Sequence, residues 1–317
     1  MSMLEHSIKA GAIGCVLFLG SVAAASQPVD FIFRSFDLRD ASATGLLGIN
    51  AQHEMAGRYL LGSGFHGFVL SKGTVTTIDP PFGLLGTAQA WGINPKGEIV
   101  GLYVDRGTIA GGDKFRTRGF FRDTSGNFTP LDFPGAENTF AIKISSTGQV
   151  VGCYHQQDAD FDLAHGGTMH GYVYQNGSYE SLPVPGTMNN GLARDGQLIV
   201  GVWYPTPSEF HAYKVENGVY SLLDLPSYAV LSDARDVNAA GEIVGFFIDA
   251  SNKSHGFLFN SAGFTPIDFP GADAIFTRAF GIDPEGNIVG LYITKDGRAH
   301  GFVAAKSPGQ ANAITLP

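Results

Sequence analysis

Short apolar runs separated by glycine-containing turns follow one another along the chain from Phe31 onwards. The run Glu98–Tyr103 is representative: Ile99 and Tyr103 lie on one face of an extended strand, and Val100 and Leu102 on the other. A strand with one face in solvent would alternate apolar and polar side chains, and this run does not. The pattern therefore predicts short β-strands in sheets that are covered on both faces.

Three phrases recur six times each, always in the same order. The first is a Gly-Ile-Asn turn followed by a strand ending in an aromatic residue, at Tyr59, Tyr103, Tyr154, Trp203, Phe247 and Tyr292. The second opens the next strand, as in His-Gly-Phe, at His66, Arg118, His170, His211, His255 and His300. The third resembles Thr-Pro-Ile-Asp-Phe-Pro and centres on Asp37, Asp79, Asp132, Pro183, Asp224 and Asp268. A period of about 40–50 residues is typical of four-stranded propeller blades.

Each repeat is predicted to contain four antiparallel strands, here called a to d. In the turn Asn94–Gly97, Asn caps the turn, Pro presets φ and Gly accepts positive φ, which suits a tight connection from strand a to strand b. Asn176-Gly177 is typical of a hairpin between strands c and d. Six such repeats predict an all-β fold, a six-bladed β-propeller of four-stranded antiparallel blades.

The phase of the repeat predicts how the ring closes. The first strand, Phe31–Leu38, has the d pattern, and the last, His300–Lys306, has the c pattern. Pairing them would complete the last blade with the N-terminal strand and remove two open sheet edges. An open solenoid is the alternative, and it would need end caps that the sequence lacks. We expect a propeller domain over residues 26–306 and a C-terminal tail over 307–317.

Residues 1–25 have the pattern of a signal peptide. Lys9 ends a polar start, residues 10–22 are almost wholly apolar, and small residues follow at Ala23–Ala25. Alternatives are an uncleaved anchor or a lipoprotein signal ending at Cys15. Cleavage would leave Cys153 without a disulfide partner. The sequence predicts a secreted or periplasmic protein with no membrane span after signal removal.

As a set, these phrases resemble the bacterial repeat family named "probable extracellular repeat, HAF family", over about Phe31–Val303. The resemblance implies secretion and a repeat fold, and it implies no settled activity. Departures occur in the third and fourth repeats, where Ser145 and Ala193 replace the turn Asn and Pro183 replaces the Asp. We therefore expect the turns of these two repeats to be the least regular of the six.

Charge narrows the class of partner. The chain has 20 basic and 29 acidic residues, a formal net charge of -9, and no long run of either sign. Nucleic-acid binding needs a basic patch that displaces counterions, so we expect no nucleic-acid partner.

Candidate ligand-binding residues lie where loops vary. In a four-stranded blade, the b–c loops and the d–a crossings share one face, here called the crossing face, and the a–b and c–d turns share the opposite turn face. Variable loops on a rigid scaffold usually carry function. Two b–c loops are long, Arg106–Thr117 and His155–Met169. The predicted ligand-binding residues are His155, His165, His170, Arg116, Arg118 and Glu137.

The third b–c loop also offers a candidate metal site. Asp158, Asp160 and Asp162 alternate and could present oxygen ligands to calcium. The loop lacks the central Gly and final Glu of an EF-hand, and its imidazoles could instead hold zinc. A solvated polar loop without a metal is the third alternative.

The His and Arg residues that open the six c strands have two interpretations. They could ring one face as ligands for an anion or a sugar. Alternatively, each could bond a carboxylate of its own blade, such as Asp79 or Asp268, and hold the blade together.

Two functions remain open from the sequence. The first is a secreted binding or scaffold module that holds an extracellular glycan, envelope component or protein on the crossing face. The second is a propeller-type hydrolase or lyase acting on an extracellular glycan or ester. The Gly-x-Ser-x-Gly pattern of a serine nucleophile is absent, and the many carboxylates single out no catalytic pair.

Overall fold

The computed structural model describes residues 31–109, 112–156, 169–206, 208–271, 273–306 and 308–317. Within these ranges, 24 strands form six sheets, each with four antiparallel strands. The inner strands of neighbouring sheets contact one another around the whole ring. The predicted six-bladed β-propeller is therefore confirmed. The signal-peptide prediction for residues 1–25 lies outside the described residues.

Blade boundaries follow the repeat. Blade 1 contains β2 (Ala43–Ile49), β3 (Met55–Leu61), β4 (Gly64–Ser71) and β5 (Thr74–Ile78). Blade 2 contains β6 (Gln89–Ile93), β7 (Ile99–Ile109), β8 (Gly112–Arg122) and β9 (Phe128–Leu131). Blade 3 contains β10 (Asn138–Ile144), β11 (Val150–His155), β12 (Met169–Gln175) and β13 (Ser178–Pro185).

The remaining blades follow the same order. Blade 4 contains β14 (Thr187–Ala193), β15 (Leu198–Thr206), β16 (Glu209–Glu216) and β17 (Val219–Leu222). Blade 5 contains β18 (Leu231–Val237), β19 (Ile243–Ile248), β20 (Ser254–Asn260) and β21 (Gly263–Ile267). Blade 6 contains β22 (Ala274–Ile282), β23 (Ile288–Thr294), β24 (Ala299–Ala305) and the N-terminal β1 (Ile32–Phe36).

The a–b turns have the chemistry that the sequence predicts. The Asn94 side-chain oxygen accepts hydrogen bonds from the backbone N–H groups of Lys96 and Glu98, and Gly97 has φ of 83°. Ser145 performs the same capping in blade 3 with its hydroxyl. Blade 4 differs because Ala193 has no polar side chain: a short 3₁₀ turn forms there instead.

Strands β7 and β8 are longer than expected. Within the segment Arg106–Thr117, predicted as a loop, residues 106–109 and 112–117 continue the two strands, with Arg106 paired to Phe115 and Ile109 paired to Gly112. The backbone can extend the ladder because hydrogen bonds between the two strands satisfy its polar groups whatever the side chains are.

The ring closes between the two ends of the chain, as predicted. Strand β1 pairs with β24 in an antiparallel ladder in which Phe33 lies opposite Ala304 and Ser35 opposite Phe302. The rings of Phe33 and Phe302 have centroids 5.8 Å apart. The last blade therefore has four strands like the others. Strand β1 is its outer strand, and it covers the edge of β24 that would otherwise be unpaired.

The residues after the propeller, predicted as a tail, include a short helix, α1 (Pro308–Ala313). The Arg34 guanidinium donates to the carbonyl oxygens of Ala311 and Ile314, at 2.8 Å and 2.7 Å. Ile314 is buried beside Phe36 and other core residues of blades 6 and 1. This segment thus packs over the closing strand pair.

Candidate functional site

The His and Arg residues that open the c strands make contacts within their own blades. The Nδ1 atom of His66 lies 2.7 Å from an Asp79 carboxylate oxygen, and His255 lies 2.8 Å from Asp268. In blade 2 Arg118 takes the place of histidine and forms an ion pair with Asp132. We call these contacts c–d pairs, because each joins the start of strand c to the end of strand d.

Stacking holds the imidazoles of the c–d pairs in place. His255 stacks on Phe247 with centroids 4.9 Å apart, and His300 stacks on Tyr292 at 5.0 Å. In blade 4 His211 instead contacts Glu209 at 2.9 Å. In four of the six blades these residues therefore pair with a carboxylate of strand d in their own blade, as expected for residues that hold a blade together.

Three predicted ligand-binding residues line one cavity of about 360 Å³ between blades 2 and 3. Its walls include Arg116, Arg118 and Glu137. Arg116 donates to the carbonyl oxygens of Ala136 and Glu137, each at 2.9 Å, and so holds the d–a crossing. Both guanidiniums in this cavity therefore already have protein partners.

The other predicted residues are dispersed. His155 ends β11 and is buried against the Phe140 ring and the Cys153 sulfur. His170 stacks on Tyr154, with centroids 5.6 Å apart. His165 and the candidate calcium ligands Asp158, Asp160 and Asp162 lie outside the described residues. Among the residues that the structure describes, no group of three or more His, Cys, Asp or Glu side chains could hold a metal ion.

A further set of side chains, both apolar and polar and not predicted from the sequence, surrounds the axis of the ring. Each inner strand has a β-bulge near its middle, which places one extra residue toward the axis. Contact between Trp91 of blade 2 and Phe280 of blade 6, which are not adjacent blades, shows that these residues meet across the axis. The bulge residues are Leu47, Trp91, Ile142, Asn190, Arg235 and Phe280.

An ion pair crosses the axis just below the bulge residues, toward the turn face. Lys143 Nζ of blade 3 lies 2.9 Å from Asp236 of blade 5 and donates to the Leu47 carbonyl of blade 1 at 3.0 Å. The other four blades have glycine at this level, and a Cβ on Gly92 would lie 2.8 Å from the Ile142 carbonyl oxygen. Close backbones and the ion pair therefore block the axis on the side of a turn-face cavity of about 330 Å³. We call the part of the axis on the crossing-face side of this pair the axial channel; Trp91, Arg235 and Arg278, which lie there, are partly exposed.

Three guanidiniums lie above this ion pair, on the side of the crossing face. Arg278 comes from β22, Arg235 from β18 and Arg58 from β3, where it lies opposite Gly45 of the inner strand. Arg235 contacts Asp233 at 2.5 Å, and Arg58 donates to Gln89 at 2.7 Å. We call Arg58, Arg235 and Arg278 the channel arginines.

Aromatic rings form the walls around the channel arginines. The Arg278 guanidinium lies 3.9 Å from the centroid of Phe246 and 4.4 Å from that of Phe276. Arg235 lies 5.4 Å from Phe246 and 5.5 Å from Phe280. The shared Phe246 ring places Arg235 and Arg278 side by side, and cation–π attraction favours this arrangement.

Burial changes the acid–base properties of this cluster. Burial, and after it the neighbouring Arg235 charge, lower the pKa of Arg278 to about 10. Burial and Arg235 likewise lower the pKa of Arg58. Burial raises the pKa of Asp233, whereas the arginines and Asn190 oppose that rise. With this pKa, the Arg278 guanidinium remains protonated at neutral pH.

The chain matches no protein-family model and no curated protein. Among the described residues, none of the helices has the length and apolar character needed to traverse a bilayer.

Solved structures with a similar fold share little sequence with the chain. A luciferin-regenerating enzyme is 10% identical with a TM-score of 0.51, and the match covers 87% of this chain and 95% of that one. A variant of AofleA from Arthrobotrys oligospora is 12% identical with a TM-score of 0.50, covering 86% of each chain.

The acylaminoacyl peptidase of Pyrococcus horikoshii is also 12% identical with a TM-score of 0.50. The match covers 86% of this chain but only 44% of the peptidase, so the chain spans less than half of that protein's length. At such low identity, all three similarities show the fold alone. On these comparisons and its own strands, the chain is a six-bladed β-propeller.

Proposed function

We propose that the protein is a secreted binding module, related to the HAF repeat proteins, that holds an extracellular polysaccharide on its crossing face. The secretion and the family relationship rest on the N-terminal pattern and the repeat phrases described above. The observation that carries the binding role is the distribution of exposed apolar side chains.

Eight of the eleven large hydrophobic side chains exposed in the described residues lie on the crossing face. Leu85, in the crossing from blade 1 to blade 2, is 86% exposed, and Tyr228 in the crossing from blade 4 to blade 5 is 50% exposed. Apolar groups concentrated on one face commonly mark an interaction surface. The eight are Leu61, Phe82, Leu84, Leu85, Phe115, Tyr228, Val230 and Ile275.

A polysaccharide suits this face because apolar and polar groups are interleaved on it. Sugar rings present C–H faces to apolar side chains and hydroxyl groups to polar ones, and ligand sites commonly combine both kinds of group. The channel arginines lie deeper on the same side of the ring. A protein partner is the alternative occupant of the face, and the experiment below distinguishes the two.

The axial channel supports binding better than glycoside hydrolysis. A glycosidase uses two carboxyl groups that face the sugar. Here Asp233 contacts Arg235 and Asn190, and Asp236 contacts Lys143, so both carboxylates have cationic partners.

The binding role is tested with purified protein and immobilised polysaccharides, both acidic and neutral. Leu85→Ser and Tyr228→Ser should each weaken binding at least tenfold, because they remove exposed apolar contact area. Since the Tyr228 ring also packs on Phe247 and Phe264, thermal melting checks that Tyr228→Ser is folded. Val219→Ser is the matched control: Val219 is 69% exposed on the outer strand β17, close to the turn face. Absence of polysaccharide binding, or an equal effect of all three substitutions, would contradict the proposal.

A further inference from the structure

The channel arginines carry more positive charge than the protein around them balances. Asp233 is the carboxylate that contacts them in the described part of the chain, and its other oxygen accepts a hydrogen bond from Asn190 at 2.9 Å. Asp233 is fully buried, and the Arg235 side chain is only 13% exposed. Like charges held together away from water repel strongly, so this cluster favours an added anion.

Polar atoms without partners lie at the same level of the channel. Trp91 Nε1, Asn190 Oδ1 and Arg235 Nε are buried and have no hydrogen-bond partner among the described residues. Asn190 is 0% exposed, and all three residues occupy the bulge position of their strands. A buried donor or acceptor without a partner costs free energy, and a ligand in the channel could supply the missing bonds.

The channel also has the apolar surface that a ring would need. Trp91 and Phe280 meet edge to face with centroids 6.0 Å apart, and the Arg235 guanidinium lies against the same Phe280 ring. A ligand that touches both features therefore carries an oxyanion and a ring close together. A guanidinium binds planar carboxylates and phosphates through paired N–H groups.

We propose that the axial channel binds a uronic acid residue, with its carboxylate at the channel arginines and its sugar ring against Trp91 and Phe280. This inference deepens the proposed function, on which it rests for the direction of entry, from the crossing face. Phosphate shares the oxyanion chemistry but has no ring. The ring contact therefore separates a uronate from free phosphate.

Trp91 provides a direct reporter of this site. The chain has two tryptophans, and Trp203→Phe would leave Trp91 as the one that remains. In this variant at low salt, glucuronate should change tryptophan emission saturably. Glucose should leave the emission unchanged, and phosphate should bind at least tenfold more weakly than glucuronate. No response to glucuronate, an equal response to glucose, or equally tight phosphate binding would overturn the proposal.

Arginine substitutions in the same background test the assignment of the carboxylate. Arg235→Gln and Arg58→Gln should each weaken glucuronate binding at least tenfold. Arg122→Gln is the matched control, since Arg122 also lies over a ring, 5.9 Å from Phe128, but outside the channel. Thermal melts report whether each variant folds. If Arg235→Gln does not fold, Arg58→Gln, on the second strand of its blade, still tests the assignment. Unchanged affinity in a folded channel variant would overturn the assignment.

The two proposals can fail separately. A protein that binds glucuronate through Arg58 but binds no polysaccharide would contradict the proposed function alone. A protein that binds polysaccharide on the crossing face, with an affinity for glucuronate that Arg58→Gln leaves unchanged, would contradict the uronate site alone.

Discussion

The side chain of Tyr292 connects the two ends of the chain through three kinds of contact. Its ring stacks on Phe269 with centroids 3.8 Å apart and on His300 at 5.0 Å. Its hydroxyl lies 2.9 Å from that of Ser35 on the closing strand β1. Apolar packing, stacking and a hydrogen bond at the closure thus depend on one residue.

Replacing Tyr292 separates these contributions. Tyr292→Ala should lower the free energy of unfolding by about 3–5 kcal/mol, because it leaves a cavity between stacked rings. Tyr292→Phe keeps the ring and loses only the hydrogen bond to Ser35, a loss of about 0.5–1.5 kcal/mol. Urea denaturation measures both values. A loss under about 1 kcal/mol for Tyr292→Ala would show that the ring contributes little to the core.

Recurrence decides which of these residues could be predicted. His66, His255 and their equivalents recur at a fixed place next to an equally regular Asp, so pairing within a blade was one interpretation of the sequence. Arg58 occupies a position that the other five repeats fill with an apolar residue. That departure is a sequence signal for one of the channel arginines. It does not indicate which other side chains lie beside Arg58, because residues from different blades come together only when the ring closes.

At the scale of elements, each inner strand pairs regularly with its neighbour except at a β-bulge. The hydrophobic pattern predicts the strands, and the Asn and Gly residues predict most of their turns. The bulges have no comparable signal. One extra residue shifts an alternation of apolar and polar positions, and these strands, apolar on both faces, have no such alternation to shift. The level at which Lys143 and Asp236 meet therefore became evident only from the structure.

This ion pair between inner strands should contribute strongly to stability. Lys143→Met would leave the Asp236 carboxylate buried without its cation, and the free energy of unfolding should fall by about 3–5 kcal/mol at pH 7. Burial already raises the pKa of Asp236, and Lys143 opposes that rise. Without Lys143 the folded-state pKa rises further above the unfolded value. The penalty is therefore absent below the unfolded pKa, near 3.8, and grows as pH increases through the folded pKa.

Denaturation of Lys143→Met at several pH values measures this dependence. Adding Asp236→Asn removes the unpaired charge and should recover part of the lost stability. Lys295→Met is the control: Lys295 is 63% exposed, lies 3.5 Å from Asp273, and its loss should change stability by less than about 1 kcal/mol. Equal losses for Lys143→Met and Lys295→Met at pH 7 would show that the buried pair has no special role.

At the scale of the whole molecule, closure joins parts of the chain that are far apart in sequence. The count of six blades and the pairing of the ends could be predicted, because the repeat begins with strand d and finishes with strand c. The helix α1 over this junction could not be predicted, since residues 308–313 match none of the repeated phrases.

A chain that begins at Ala41 should be much less stable than the parent. It lacks β1, and so it exposes Phe302 and removes the buried Phe36 from the core between blades 6 and 1. The loss should be about 3 kcal/mol or more, at roughly 1.5–3 kcal/mol for each apolar side chain that is no longer buried. Thermal and urea melts compare it with a chain ending at Lys306, which lacks only the helical segment. Identical melting of the Ala41 chain and the parent would show that closure by the ends is wrong.

The direction of the closing ladder determines how the ring responds to tension. Ile32 pairs with Ala305, so the outward-leading ends of β1 and β24 lie together at one end of the ladder. Pulling the two ends of the chain apart would strain the hydrogen bonds one after another rather than all at once. The two bonds from Arg34 to the segment beyond the ladder lie near this starting point. They would have to break early, and so they oppose mechanical opening at the end of the ladder where it begins.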